Sequence, residues 1–230
     1  MFKEIHFSKI PSTHLHALEH LKAHVDTYTL FTADHQTDGI GRKNRPWIAK
    51  GHNLLATFLF PAPEKDHANL AQLLCYSTIK ILEKHALTPT FKWPNDILLS
   101  HKKVAGVMAE IRESMAIISI GLNVNMSKAD LDAIDIPATS LSEELHHTLS
   151  VPTIKENLTQ QFSADLTLFQ KEGFSPFFSP FAAKLAFVGK IARSGDFKGK
   201  ITGLNPDGRL ILHTDGKPQL LSTSSLEIIE

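Results

Sequence analysis

Residues 90–110 read TFKWPNDILLSHKKVAGVMAE. Two apolar runs of strand length, DILLS and VAGVMAEI, are separated by a short polar turn, and Pro94, Asn95 and Asp96 are turn formers ahead of the first run. The spacing predicts a tight antiparallel arrangement rather than a helix. A turn needs only the proline, the asparagine and the aspartate, so Lys92, Trp93 and Lys103 ask for a further reason. Trp93 precedes a proline, which holds it extended and fixes its ring. Gly106 permits close backbone approach at the start of the second run. Together these residues put cations, a carboxylate and a stacking surface at one hairpin.

Outward from this stretch, TYTLFTA, NLLATFLF and AIISIGLNVN also read as short strands bounded by turn residues. Three segments read as helices. Residues 12–25 place Leu15, Leu18, Leu21 and Val25 on one face, with Ser12 or Thr13 as the cap. Residues 66–85 carry Leu70, Leu73, Leu74, Ile81 and Leu82. The third starts after Pro152, with Thr153 and Glu156 as a capping box, and stops at Gly173. SPFFSPF reads as a packed, proline-broken connection. From about Lys184 the texture changes to short strands punctuated by NPDG and TDGK, both hairpin signals, which predicts a small separate β-barrel whose turns are exposed.

Bulk properties narrow the function. Lysine plus arginine and aspartate plus glutamate each number 24, giving zero formal net charge, whereas nucleic-acid binders carry a basic excess. No apolar run is long enough to cross a bilayer, and the N-terminus lacks a signal-peptide core. Cys75 is the one cysteine, which excludes an intrachain disulfide and fits the cytoplasm. Its apolar surroundings, LAQLLCYSTIKIL, suit a buried structural thiol better than a nucleophile.

Two further stretches carry chemistry. QTDGIGRKNRPWIAKGHN, residues 36–53, sets Gly39, Gly41 and Gly51 beside Arg42, Lys43, Arg45 and Lys50. Such a loop closes well around a phosphate, through backbone N–H groups and guanidinium forks. It lacks the ending of a P-loop and the third glycine of a dinucleotide fingerprint. A solvated basic surface loop accounts for the composition equally well; Trp47, costly on such a loop and suited to covering an apolar ring or an adenine, favours the binding role. In ISIGLNVN, period two puts Ile118, Ile120, Leu122 and Val124 on one face and Ser119, Gly121, Asn123 and Asn125 on the other. The small, polar face describes a strand that something else lies against, the alternative being an edge strand that tolerates a glycine. Among the 13 histidines, His16, His20 and His24 recur at helical spacing that suits zinc, but no HExxH arrangement accompanies them.

KWPND followed by KKVAGVMAE closely resembles the signature of biotin–protein ligases. In the same order, IPSTH is similar to that family's serine-threonine-asparagine motif, QTDGIGRKNRPW to its glycine-arginine loop, SIGLNVN to its glycine-asparagine strand, and the tail to its SH3-like barrel. The resemblance implies an α+β fold: a mixed β-sheet with helices, of the class II aminoacyl-tRNA synthetase-like kind, over residues 1–183, and an SH3-like barrel over 184–230. It implies ATP-dependent activation of biotin to biotinyl-5'-adenylate and transfer to a lysine of a biotin carboxyl carrier protein. Arg42 and Lys103 are then the catalytic cations. Ser12, Thr13, Gln36, Gly39, Gly106 and Gly121, with Arg42 and Lys103, hold biotin. Arg42, Arg45, Trp47, Lys92, Asn95, Asp96 and Asn123 hold the nucleotide, and Asp96 helps place Mg²⁺.

The chain departs from the pattern at Ile40, where an arginine is usual, at Asn44 and Ser119, where glycine is, and at His14, where asparagine is. A lipoate–protein ligase and a non-catalytic biotin-binding protein are the alternatives. A biotin-sensing DNA-binding repressor would need an N-terminal winged helix, for which a first motif at residue 10 leaves no room. No nucleic-acid or membrane partner is expected, and a homodimer is compatible with the sequence.

Overall fold

In a computed structural model, residues 2–21, 27–214, 216–222 and 225–229 are described. Seven strands form a mixed sheet in the order β1-β2-β3-β7-β6-β5-β4. They are β1 (Lys3–Ile10), β2 (Thr29–Gln36), β3 (His52–Pro61), β4 (Thr90–Lys92), β5 (Asp96–Leu99), β6 (Lys102–Arg112) and β7 (Met115–Asn125). Only β1 and β2 run parallel; every other pairing is antiparallel.

Period-two alternation decides what each face meets. Phe58, Phe60, Ile118, Ile120, Leu122 and Val124 turn into the large core, closed by α2 (Leu70–Lys84) and α5 (Val151–Glu172). Leu59, Phe31 and Ile117 turn the other way, against Ala17 and Leu21 in a smaller core beside α1 (Thr13–Glu19). Helix α1 contacts β2, β3 and β7 but is only seven residues long. It therefore covers one end of its face and leaves the rest of that face open. No helix among the described residues is long and apolar enough to cross a membrane. Cys75 is fully buried, and burial pushes its thiol well up, as expected of a structural cysteine.

Several elements differ from their sequence reading for local reasons. Helix α5 starts at Val151, and its cap is Ser150, whose Oγ accepts the Thr153 N–H. Pro152 sits in the first turn, where a missing N–H costs nothing, so the cap lies upstream of the proline. SPFFSPF is a helix, α6 (Ser175–Ala182), despite Pro180 inside it; burial of Phe177 and Phe181 offsets the lost bond. The first helix is described to Glu19; the remainder of its expected span, with His24, falls partly on residues 22–26, outside the described residues. Strands β1 and β4 and the short helices α3 (Lys128–Asp132) and α4 (Leu141–Leu145) carry no sequence signal strong enough to announce them.

Residues from Ile191 onward form a second, antiparallel sheet ordered β11-β10-β9-β8-β12: β8 (Ile191–Ser194), β9 (Phe197–Leu204), β10 (Leu210–Thr214), β11 (Lys217–Leu221) and β12 (Glu227–Ile228). Strands β11 and β12 form its edges. Its NPDG turn, expected to be exposed, is so only at Pro206 and Asp207; Gly208 is buried against the first sheet's elements. The Gly208 carbonyl accepts from Gln72 Nε2 at 2.7 Å and Trp93 Nε1 at 3.3 Å, and the Asp207 carbonyl accepts from Asn69 Nδ2 at 2.8 Å. Gly208 has φ +81, and a Cβ there would stand 2.1 Å from Gln72 Oε1. Gly208→Ala combines a disfavoured backbone with lost docking bonds, so it should destabilise by about 1–3 kcal/mol in urea unfolding. Unchanged stability would contradict the docking of this turn.

Candidate functional site

The open part of the sheet face floors a cleft of ≈ 480 Å³. Along β7, Ile117 lies under α1, and then Ser119, Gly121 and Asn123 face the cleft. The strand is central, between β3 and β6, so the small polar face floors the cleft and does not belong to an edge strand.

One end of the cleft is uncharged and polar. Ser12 caps α1, its Oγ accepting the Leu15 N–H at 3.4 Å. Thr13 donates twice to Gln36 Oε1, from its backbone N–H at 2.7 Å and its hydroxyl at 2.9 Å. Two donors on that oxygen fix the orientation of the Gln36 amide and leave its Nε2–H₂ as the donating end. Thr57 donates to the Thr13 hydroxyl at 2.9 Å and contacts the Ser119 hydroxyl at 2.9 Å. His14, buried beneath, joins Ser119 at 2.8 Å and Glu110 at 3.2 Å.

The other end is cationic. Residues 39–47 form a narrow loop: Gly41 N–H donates to the Arg45 carbonyl at 2.8 Å and Trp47 N–H to the Gly39 carbonyl at 2.8 Å. At its tip, Arg42–Asn44 make a 3-10 turn in which Lys43 and Asn44 have φ 58 and 55. The residue at position 44 must therefore adopt a left-handed conformation, which asparagine does more readily than other side-chain-bearing residues. The replacement of the expected glycine by Asn44 is accommodated. Arg42 Nη1 donates to Asn95 Oδ1 at 2.9 Å, and Asn95 Nδ2 donates to the Val107 carbonyl at 2.6 Å. Burial draws the Arg42 guanidinium below its ordinary value while Asp96 opposes the shift; arginine stays cationic regardless. Lys103 Nζ lies 2.7 Å from Asp96 Oδ1.

Between the two ends, the Trp47 indole lies directly on the glycine floor. A Cβ on Gly121 would stand 2.2 Å from Trp47 Cε2, and one on Gly106 3.1 Å from Trp47 Cζ3. Lys103 Nζ stands 5.3 Å from the Trp47 ring centroid. Trp47 Nε1 and Asn123 Oδ1 are buried polar atoms with no hydrogen-bond partner among the described residues. Buried orphans of this kind mark places where something else completes the bonding.

Thus Ser12, Thr13, Gln36, Arg42, Arg45, Trp47, Lys92, Asn95, Asp96, Lys103, Gly106, Gly121 and Asn123 all line one cleft. Gly39 does not line it; its carbonyl braces Trp47 instead. The Trp93 ring is only 2% exposed, so the tryptophan of KWPND anchors the second sheet and offers no free stacking face. Trp93–Pro94 is a cis peptide. Sequence reasoning missed the segment 134–138 along Lys103, and Ser225, whose Oγ accepts from Lys43 Nζ at 3.0 Å and Arg45 Nη2 at 3.3 Å. A serine in a distant tail carries no motif by which to find it. His16, Glu19 and His20 bring ligand atoms within 4.8 Å of one another; His24, the third histidine of the expected set, lies outside the described residues.

The chain is 28% identical over 87% of its length to the bifunctional ligase/repressor BirA of Bacillus subtilis, spanning 66% of that protein. It is 26% identical over 84% of its length to the biotin–[acetyl-CoA-carboxylase] ligase of Paracoccus denitrificans, spanning 88% of it. The solved biotin protein ligase of Aquifex aeolicus, in complex with biotin and ATP, superposes with a TM-score of 0.86 at 26% identity, covering 100% of this chain and 99% of that one. The family model for the biotin/lipoate A/B protein ligase family matches residues 6–125. The chain belongs to that family.

Proposed function

We propose that the chain activates biotin with ATP to biotinyl-5'-adenylate and transfers the biotinyl group to a lysine of a biotin carboxyl carrier protein. One observation carries this reading: a single cleft joins an uncharged hydroxyl-and-amide end to a cationic end across a glycine floor covered by an indole. The first end suits a cyclic urea, whose carbonyl accepts from donors such as Ser12 Oγ–H and Gln36 Nε2–H. A dithiolane ring has no polar atom to use there, which favours biotin over lipoate. The second end suits the meeting of a carboxylate with a triphosphate.

In the first step a biotin carboxylate oxygen attacks the α-phosphorus of ATP and pyrophosphate leaves. Two anions approach, so cations must stand at the developing charge. Lys103 takes this role, held in place by Asp96; Arg42 grips the same phosphate from the loop, oriented by Asn95. Arg45 and Lys92 face the remaining phosphates, and Asn123 Oδ1 awaits a donor such as an adenine amine. Asp96 and Asp135 are the carboxylates lining the cleft among the described residues, few for a metal cage but enough for Mg²⁺ held chiefly by phosphates. When bound, Mg²⁺ shields the charge of the triphosphate.

In the second step the carrier amine attacks the acyl carbonyl, AMP departs and the amine loses a proton. Until then the mixed anhydride must be kept from water, which is the work of the loop carrying Arg42 and Trp47. Residues 1–183 perform the chemistry, and residues 184–230 brace the loop through Ser225 and position the carrier.

Incubation with biotin, labelled ATP and a biotin carrier domain should give adenylate and then biotinylated carrier. Lys103→Ala should lower adenylate formation ~10²–10³-fold while biotin affinity holds; near-normal synthesis would remove Lys103 from the chemistry. Arg42→Gly should retain measurable synthesis but release the adenylate, so that a bystander protein is biotinylated on its lysines. A variant that is simply inactive would confine Arg42 to the first step.

A further inference from the structure

Six groups beneath the uncharged end of the cleft form a line: Glu110, His14, Ser119, Thr57, Thr13 and Gln36. The five contacts between them measure 3.2, 2.8, 2.9, 2.9 and 2.9 Å in that order. Each needs one proton. Both ends of the line are acceptors. Gln36 presents Oε1, as its bond from the Thr13 N–H requires, and Glu110 presents a carboxylate whose other oxygen pairs with Arg112. The three hydroxyls supply one proton each. A neutral imidazole supplies a fourth, and only a doubly protonated His14 supplies the fifth.

With His14 neutral, the line is one proton short, and one contact holds two facing lone pairs. If His14 donates to Glu110, Ser119 donates to His14, and the deficit falls on the hydroxyls of Ser119, Thr57 and Thr13. Ser119 and Thr13 line the cleft. The deficit is therefore reachable by a ligand that brings an N–H of its own.

We propose that His14 is a positioning residue for the ligand ring: held neutral, it leaves an acceptor vacancy among the cleft hydroxyls that one N–H of a cyclic urea fills. This rests on the reading of the cleft as a biotin site, and goes beyond it by naming what selects a ring that carries N–H. A proton on His14 and the ligand N–H compete for one vacancy, so biotin binding and His14 protonation oppose each other.

The surroundings fit a His14 that is neutral near pH 7. Burial draws its ring below the ordinary histidine value, and Glu110 pulls the other way. From β3 and β7 it meets the hydroxyls Thr57 and Ser119, directly or through one another; β2 contributes the uncharged Gln36 at the far end of the line. From β6 it meets Glu110, with Arg112 behind. The sign follows. The folded value lies below about 6.5, so the charged form appears only as pH falls through that lowered value, and affinity for biotin falls with it.

Calorimetric titration of the full chain with biotin between about pH 5.5 and pH 8, above the range in which an ordinary carboxylate titrates, tests this. The parent should bind most tightly near neutrality and lose about tenfold towards the acid end, the worth of roughly one hydrogen bond. Glu110→Gln places an amide N–H against His14 Nε2 and supplies the fifth proton with His14 neutral. It should bind like the acid form at every pH, with a flat profile. His14→Asn should also be flat, and biotin methylated on its ureido nitrogens should lose affinity more in the parent than in Glu110→Gln. A flat parent profile, or a Glu110→Gln affinity equal to the parent's at neutral pH, overturns the inference alone. Absence of biotin binding at every pH overturns the biotin assignment and this inference together.

Discussion

Strand β7 must do opposite things on its two faces, and the rest of the structure is arranged around that requirement. Ile118, Ile120, Leu122 and Val124 are buried in the large core under α2 and α5, each side chain contributing on the order of 1.5–3 kcal/mol by leaving water. On the other face bulk is withdrawn residue by residue, to Ser119, Gly121 and Asn123. A side chain at Gly121 would occupy the space the Trp47 ring takes. The cleft exists because the strand is fixed by one face and left bare on the other, and because α1 is too short to cover the bare part.

Three polar ties bring distant segments to this floor. Asn95 links the Arg42 loop to the β5–β6 pair by accepting from Arg42 and donating to Val107. Asp96 holds Lys103 and favours the charged form of Arg42, against its burial and the like charge of Arg45. Ser225 receives Lys43 and Arg45 from the far end of the chain. The loop is thus held closed by Trp47 on the glycine floor and by hydrogen bonds from Arg42, Lys43 and Arg45 to uncharged oxygens at its tip.

Much of this was legible in the sequence where local physics governs. Period two identified the core face of β7 and its bare partner, and the residues of KWPND, the basic loop and IPSTH all reached the same cleft. What was not legible depends on partners far along the chain. Trp93 reads as a free stacking surface until Gly208, 115 residues away, takes its indole N–H. SPFFSPF reads as a broken connection because local propensity cannot weigh the burial of Phe177 and Phe181. His14 reads as a departure from a motif; its partners Ser119 and Glu110 lie 105 and 96 residues downstream. Ser225 is a serine among serines.

We propose that one cleft receives biotin and ATP together and joins them. Exchange of labelled pyrophosphate into ATP measures that reaction without any carrier protein. Exchange should appear with biotin and be absent with no acid or with lipoate. Exchange supported by lipoate as well as by biotin, or no exchange with biotin under conditions where the chain is folded, would contradict it.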